Sequence, residues 1–167
     1  MNGLGRIFDI GSAFTPVDFN TADAATGHRI HMRNYTGIAM VLYKGAGTAG
    51  ADPVITVQEH NAKTGGTSAD LVCIDQVFYK TEATLDGDET WSRATQTAAA
   101  TYTDATCAEL EGIIVTEVEA SAMSAGYEWI SFNIAATVAN AQLVCGLYIM
   151  HGLKIQRRPD LLAQPNA

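Results

Sequence analysis

Gly45-Ala-Gly47-Thr-Ala-Gly50 matches the pattern G-x-G-x-x-G, follows an apolar run, and has Asp70 twenty residues beyond its last glycine. In a dinucleotide site such glycines let backbone amides at a helix N-terminus approach a pyrophosphate. The next residues here are Ala51-Asp-Pro53-Val-Ile-Thr-Val57, β-branched and interrupted by proline, so no helix dipole faces a phosphate. The run is therefore read as a nucleotide-free hairpin loop.

The remaining reactive side chains are scattered. His28 and His31 stand three apart, which on a strand sends them to opposite faces, and His60 and His151 are solitary at strand ends. Asp86, Asp88 and Glu89 surround Gly87 without the spacing of a calcium loop and read as an Asp-Gly turn. No serine sits in a G-x-S-x-G elbow and no cysteine lies beside a recognisable base. Cys73, Cys107 and Cys145 form no C-x-x-C; Cys73 and Cys145 lie in apolar runs, where a buried thiol acts as a small hydrophobe. Glu117 and Glu119 share a strand face, whereas a glycosidase needs two carboxylates converging across a cleft. Trp91, Trp129, Tyr127 and Tyr148 would serve a sugar-stacking platform or, more commonly, a core or interface. No catalytic, cofactor or metal residue is assigned, and the expectation is a non-enzymatic chain without a cofactor.

The elements that would hold these residues are strands. Ile38–Lys44 and Val54–Glu59 flank the glycine loop. Leu71–Lys80 reads as one strand with a bulge near Asp75, followed by a turn at Leu85-Asp-Gly-Asp-Glu89 and a strand over Thr90–Thr95. Ile113–Glu119 alternates, with Val115, Glu117 and Glu119 on one face and Ile114, Thr116 and Val118 on the other. Ile130, Phe132 and Ile134 share the core face of Tyr127–Ala135, and Ala141–Met150, the most continuously apolar run, reads as a central strand. Helix is confined to a turn or two in Ala120–Gly126 and Thr103–Gly112. Short strands separated by turn residues predict an all-β, single-domain sandwich of jelly-roll type. The domain spans 28–153, with an extended N-terminal arm over 1–27 and a C-terminal tail over 154–167.

At 167 residues the chain is long enough for one substantial core. Charged residues make up 17%, against about 25% in typical globular proteins, so the surface must be built from neutral small residues. Such surfaces suit extensive protein contact, since few charges must be desolvated. The net charge of −8 is uneven. Residues 1–44 hold Arg6, Arg29, Arg33 and Lys44 against Asp9, Asp18 and Asp23, and residues 151–167 hold Lys154, Arg157 and Arg158 against Asp160. Between them, Lys63, Lys80 and Arg93 face fourteen carboxylates. An acidic body flanked by basic ends disfavours nucleic acid as a partner. No apolar run approaches the length that spans a bilayer, so no membrane partner is expected. With no secretory signal pattern at the first residues, synthesis in the cytoplasm with reduced thiols is expected.

The run Val41-Leu-Tyr-Lys-Gly-Ala-Gly-Thr-Ala-Gly-Ala-Asp-Pro-Val-Ile-Thr-Val-Gln58 resembles small virion structural proteins from the head-gene region of tailed bacteriophages. Asp75-Gln-Val-Phe-Tyr-Lys80, Trp91-Ser-Arg-Ala-Thr-Gln96 and Ala139-Asn-Ala-Gln-Leu-Val-Cys-Gly-Leu-Tyr148 extend the likeness, in order, over about residues 35–150. The resemblance implies a capsid decoration, or cement, protein that binds the major capsid protein lattice on the outer surface of the head. It also implies closed self-association, most naturally a homotrimer. It carries no site motif, so no functional residue transfers. The candidate capsid and subunit contacts come from the ends: Phe8, Phe14 and Phe19 as apolar anchors of the arm, and Arg157 and Arg158 in the tail. A tail or head–tail connector component is the alternative within this class. A carbohydrate-binding β-sandwich module, marked by an exposed Trp and Tyr cluster, is the alternative from another. A jelly-roll hydrolase or isomerase would require His28, His31, His60 or His151 to converge in one cavity.

Overall fold

The computed structural model describes residues 3–20, 24–136 and 141–166. Its strands are β1 (Phe8–Asp18), β2 (Ala24–Ala25), β3 (Ile30–His31), β4 (Gly37–Lys44), β5 (Pro53–His60), β6 (Ser68–Asp70), β7 (Ile74–Glu82), β8 (Ser92–Ala99), β9 (Thr101–Thr103), β10 (Glu111–Glu119), β11 (Trp129–Ala136) and β12 (Leu143–His151). One sheet runs β1-β12-β4-β10-β7-β8; the other runs β2-β11-β5-β6, with β3 also on β11 and β9 also on β5. Helix among the described residues is limited to three single 3-10 turns, one of them at Ala120–Ala122 inside the segment expected to turn once. The segment Thr103–Gly112 holds no helix.

The expected sandwich is present, and its strands wrap in jelly-roll order. Along the chain β1 lies in the first sheet, β2 and β3 in the second, β4 in the first, β5, β6 and β9 in the second, then β10, β11 and β12 alternate. Strands β4 and β5 therefore sit in different sheets, and Gly45–Asp52 is a corner between layers rather than a hairpin loop. A Cβ on Gly47 would stand 2.4 Å from Gln142 Nε2 and 2.7 Å from the Ala108 carbonyl oxygen, so this glycine is required by close approach. Pro53 opens β5, a position where its missing N–H costs no ladder bond.

The hairpin β7–β8 interrupts a single strand. β6 and β9 are collinear halves, pairing with the two ends of β5. At the break Val57 holds both sides: its C=O accepts from the Leu71 N–H and its N–H donates to the Ala100 C=O, each at 3.0 Å. The hairpin crosses to the first sheet and widens it to six strands beside β10. The expected bulge falls between Ile74 and Gln76, opposite extra residues in β8, where Gln96 Nε2 donates to the carbonyls of Ile74 and Thr101.

The inner faces follow the period-2 expectation. Ile114, Val118, Ile130, Phe132 and Ile134 are buried together with Ile38, Met40, Leu42, Ile55, Val57 and Tyr148. Tyr148 joins the layers: its hydroxyl accepts from the Phe132 N–H at 2.9 Å and donates to the His28 C=O at 3.0 Å. Those backbone groups lie where β2 and β3 leave a gap along β11, so the phenol fills the place of a missing ladder. Gly27 sits beneath it, since a Cβ there would stand 2.6 Å from the hydroxyl.

The segment expected to be an arm is part of this body. β1 pairs along β12, β2 pairs with β11, and Phe14 and Phe19 are buried in the core, with the Phe14 and Phe132 rings 6.4 Å apart. Register shifts flank Phe14, and opposite it Gly146 makes room, because a Cβ there would approach the ring to 2.5 Å. Phe14 and Phe19 therefore serve this chain's own core, not docking. The tail also lies on the body: Lys154 N–H donates to the Asn34 C=O, Arg157 N–H to the Gly5 C=O, and the Pro165 C=O accepts from the His31 N–H.

Candidate functional site

The outer face of the smaller sheet is polar and internally bonded. β5 and β11 alternate so that Gln58, His60, Ser131 and Asn133 point away from the core. Asn133 Nδ2 donates to Gln58 Oε1 (2.9 Å) and Ser131 Oγ (3.3 Å), and Gln58 Nε2 donates to Asp70 Oδ1. Ser131 Oγ lies 2.8 Å from His60 Nε2, and Ser68 Oγ lies 2.7 Å from His60 Nδ1 while accepting from Arg29. The imidazole is locked between two hydroxyls. Burial, reinforced by the Arg29 charge, pushes its pKa down to about 4. A base this weak, held without a carboxylate partner, orders the sheet edge rather than activating Ser68.

This arrangement has a pH signature. His60 stays neutral in the fold while the unfolded chain takes up a proton near pH 6.5, so stability falls as pH drops from about 6.5 to about 4. The expected loss across that window is about 3 kcal/mol. Urea unfolding of the wild type and His60→Gln at several pH values checks it. An equal slope in both proteins would show that His60 is not its source.

His31 and His151 do not converge with it. His31 stacks on Trp129 with centroids 4.4 Å apart and lies 3.2 Å from the Glu128 carboxylate, while His151 ends β12 in the opposite sheet. The aromatic platform is likewise dispersed. Trp129 and Tyr148 are buried, whereas Trp91 is exposed, with the Lys80 ammonium 5.3 Å from its ring centroid. Cys107 is the buried thiol, and Cys73 and Cys145, expected inside, are half-buried. Burial holds Cys73 and Cys107 up at about 12, far from thiolate chemistry at neutral pH.

Glu82, Asp86, Asp88 and Glu89 bring carboxylate oxygens within 4.8 Å of one another at the β7–β8 turn. The N–H groups of Gly87 and Asp86 donate to Glu89 and hold its pKa down, while the Asp88 charge raises that of Glu82. The N–H contacts to Glu89 are those of a tight turn, as the Asp-Gly sequence implied.

Two surfaces stand out instead. The first is a basic pole. The Arg157–Gly5 backbone bond draws the two chain ends together, and Lys154 Nζ donates to the Arg33 C=O at 3.0 Å. Arg6, Arg33, Lys154, Arg157 and Arg158 are all exposed here, with Arg158 bonded to Asp160 at 2.7 Å. Leu4, Ile7, Ile155 and Leu161 are exposed among them. Of the expected contact residues, Arg157 and Arg158 belong to this pole and Phe8, half-buried, opens the adjoining strand.

The second is the outer face of the six-stranded sheet. Cross-strand neighbours on it are apolar: Ile10 and Ile149, Leu147 and Val41, Val41 and Val115, Val115 and Phe78, and Cys145, Tyr43 and Ile113 in the next row. A shallow concavity lies over Ala39, Val41, Phe78, Ile113, Val115 and Ile149. No protein-family model matches this chain, and no curated protein does either. The sequence signal for the apolar face was the unbroken run Ala141–Met150, which implies cover on both sides of a strand. The pole had only its charges as a sign, because Leu4, Ile7, Ile155 and Leu161 lie in irregular segments. Among the described residues, no helix is long and apolar enough to cross a membrane.

Proposed function

We propose that this chain is a non-enzymatic virion structural protein of a tailed bacteriophage, a capsid decoration protein that binds the major capsid protein lattice on the outside of the head. The observation that carries the docking model is the convergence of both basic ends into one pole on an otherwise acidic body. Arginines set among exposed Leu4, Ile7, Ile155 and Leu161 give that pole the composition of a protein interface. Electrostatic attraction orients the subunit with its carboxylate-rich body away from an acidic shell, and the aliphatic side chains supply apolar burial. Cement proteins stabilise a shell by mass action, since binding only the assembled lattice favours that state. The virion assignment itself rests on the likeness over residues 35–150.

The test is co-sedimentation with phage heads assembled without the protein, alongside mass spectrometry of native particles. The wild type is expected to bind saturably, and the protein to be present in many copies per particle. Arg6→Glu, Arg157→Glu and Arg158→Glu together are expected to weaken binding about tenfold or more at low salt. Absence from particles would overturn the virion assignment. Unchanged binding of the triple variant would overturn docking through the pole.

A further inference from the structure

We infer that the outer face of the six-stranded sheet is a self-recognition surface, on which a second copy of this chain docks face to face about a two-fold axis. The two outer faces of the sandwich differ in kind. The smaller sheet satisfies its face with the Gln58–Asn133–Ser131–His60 chain of hydrogen bonds, whereas the larger leaves Tyr43 and Leu147 exposed, at 47% and 43%. Contiguous apolar surface of this extent marks a protein contact rather than a solvated face.

The area suits a pair. Six strands about 4.8 Å apart, with about eight residues each at about 3.4 Å per residue, present roughly 800 Å². That is the share each partner contributes to a standard-size interface, about 800 Å².

The charges identify the occupant. Two acidic bodies repel, so a second copy must be met where charges offset. On this face Lys80 and Arg93 stand on β7 and β8, Glu82 and Glu111 lie one row beyond Lys80 with Glu111 accepting from the Leu85 N–H, and Glu117 and Glu119 stand on β10 toward its far end. An in-plane two-fold axis passing diagonally near Val41 and Val115 is fixed by that pattern. It lays Lys80 and Arg93 of each copy over Glu117 and Glu119 of the other. The same rotation brings Tyr43 and Ile113 onto Leu147 and Ile149 of the second copy, so apolar groups meet apolar groups. An isologous contact requires such self-complementarity. The pair uses none of the residues of the basic pole and does not rest on the virion reading. It specifies two-fold rather than three-fold closure.

Sedimentation analysis of the purified intact chain tests this. The expected species at micromolar concentration has twice the 17.7 kDa chain mass. Leu147→Asp, on an exposed position, is expected to weaken pairing by at least about a hundredfold while circular dichroism shows the fold retained. Lys80→Glu with Arg93→Glu, and separately Glu117→Lys with Glu119→Lys, are each expected to yield monomers. Mixing the two variants is expected to restore a heterodimer, since both contacts then become attractive. A monomer at every concentration, a species of three chain masses, or charge variants that pair like the wild type would each overturn the inference. So would a mixture that stays monomeric.

Discussion

Replacing Phe132 with alanine is expected to lower the unfolding free energy by about 3–5 kcal/mol. The ring is fully buried at the centre of β11, stacked on Phe14, and its backbone N–H is held by the hydroxyl of Tyr148. Residues from both sheets meet there, so the cavity cannot be closed by moving one loop. Urea denaturation should show the midpoint fall with an unchanged slope, the sign of lost stability without a change in the unfolding transition. A loss below about 1 kcal/mol would mean that the core repacks around the missing ring.

Lys44→Met is expected to be comparably severe, again about 3–5 kcal/mol. Lys44 ends β4 with its side chain directed inward and fully buried, closing one end of the sandwich. Its ammonium donates to the carbonyls of Cys107, Leu110 and, at 3.4 Å, Gly45. It thereby ties the loop from Asp104 to Leu110 over the core, where the buried Asp104 carboxylate accepts the N–H groups of Thr106 and Cys107. Methionine matches the length but takes the ammonium from all three carbonyls, of which only that of Cys107 keeps a second donor, the Leu110 N–H, and it removes the positive charge that acts on Asp104. Burial lowers the pKa of Lys44, opposed by Cys107, Asp104 and Asp52. The unfolded chain therefore holds this proton more tightly than the folded one, and the group's penalty is relieved as pH rises toward the ordinary lysine range. Denaturation at neutral pH measures the difference. A loss under about 1 kcal/mol would show that the loop closes without the ammonium.

The contrast between Ile113–Glu119 and Phe8–Asp18 explains which elements were legible in the sequence. β10 pairs without a register shift, so alternation of residue types maps directly onto inner and outer faces. β1 is broken by shifts on both sides of Phe14, which disrupts the period and leaves its aromatics looking like isolated anchors. β6 and β9, three residues each, are too short to carry any period. The corner at Gly45–Asp52 has the composition of a hairpin, and only the layer into which β5 enters distinguishes the two. The surfaces were less legible still. Arg6 and Arg157 are separated by nearly the whole chain, and nothing local announces that Gly5 and Arg157 share a hydrogen bond. Tyr43 and Leu147 look like core residues by type, because sequence reports hydrophobicity but not which layer covers it.

The break in the outer strand at Val57 makes the β7–β8 excursion a modular insertion. Both entry and exit are fixed by a single residue of β5, so the register of β6 and β9 is independent of how many residues lie between Leu71 and Ala100. Lengthening a closed loop adds only about 0.6 kcal/mol of closure cost per doubling. At this position length can change while the other strands of the two sheets keep their pairing. Because β7 and β8 form the far border of the apolar face, a change in that insertion would alter what the face recognises without altering how the rest of the protein folds.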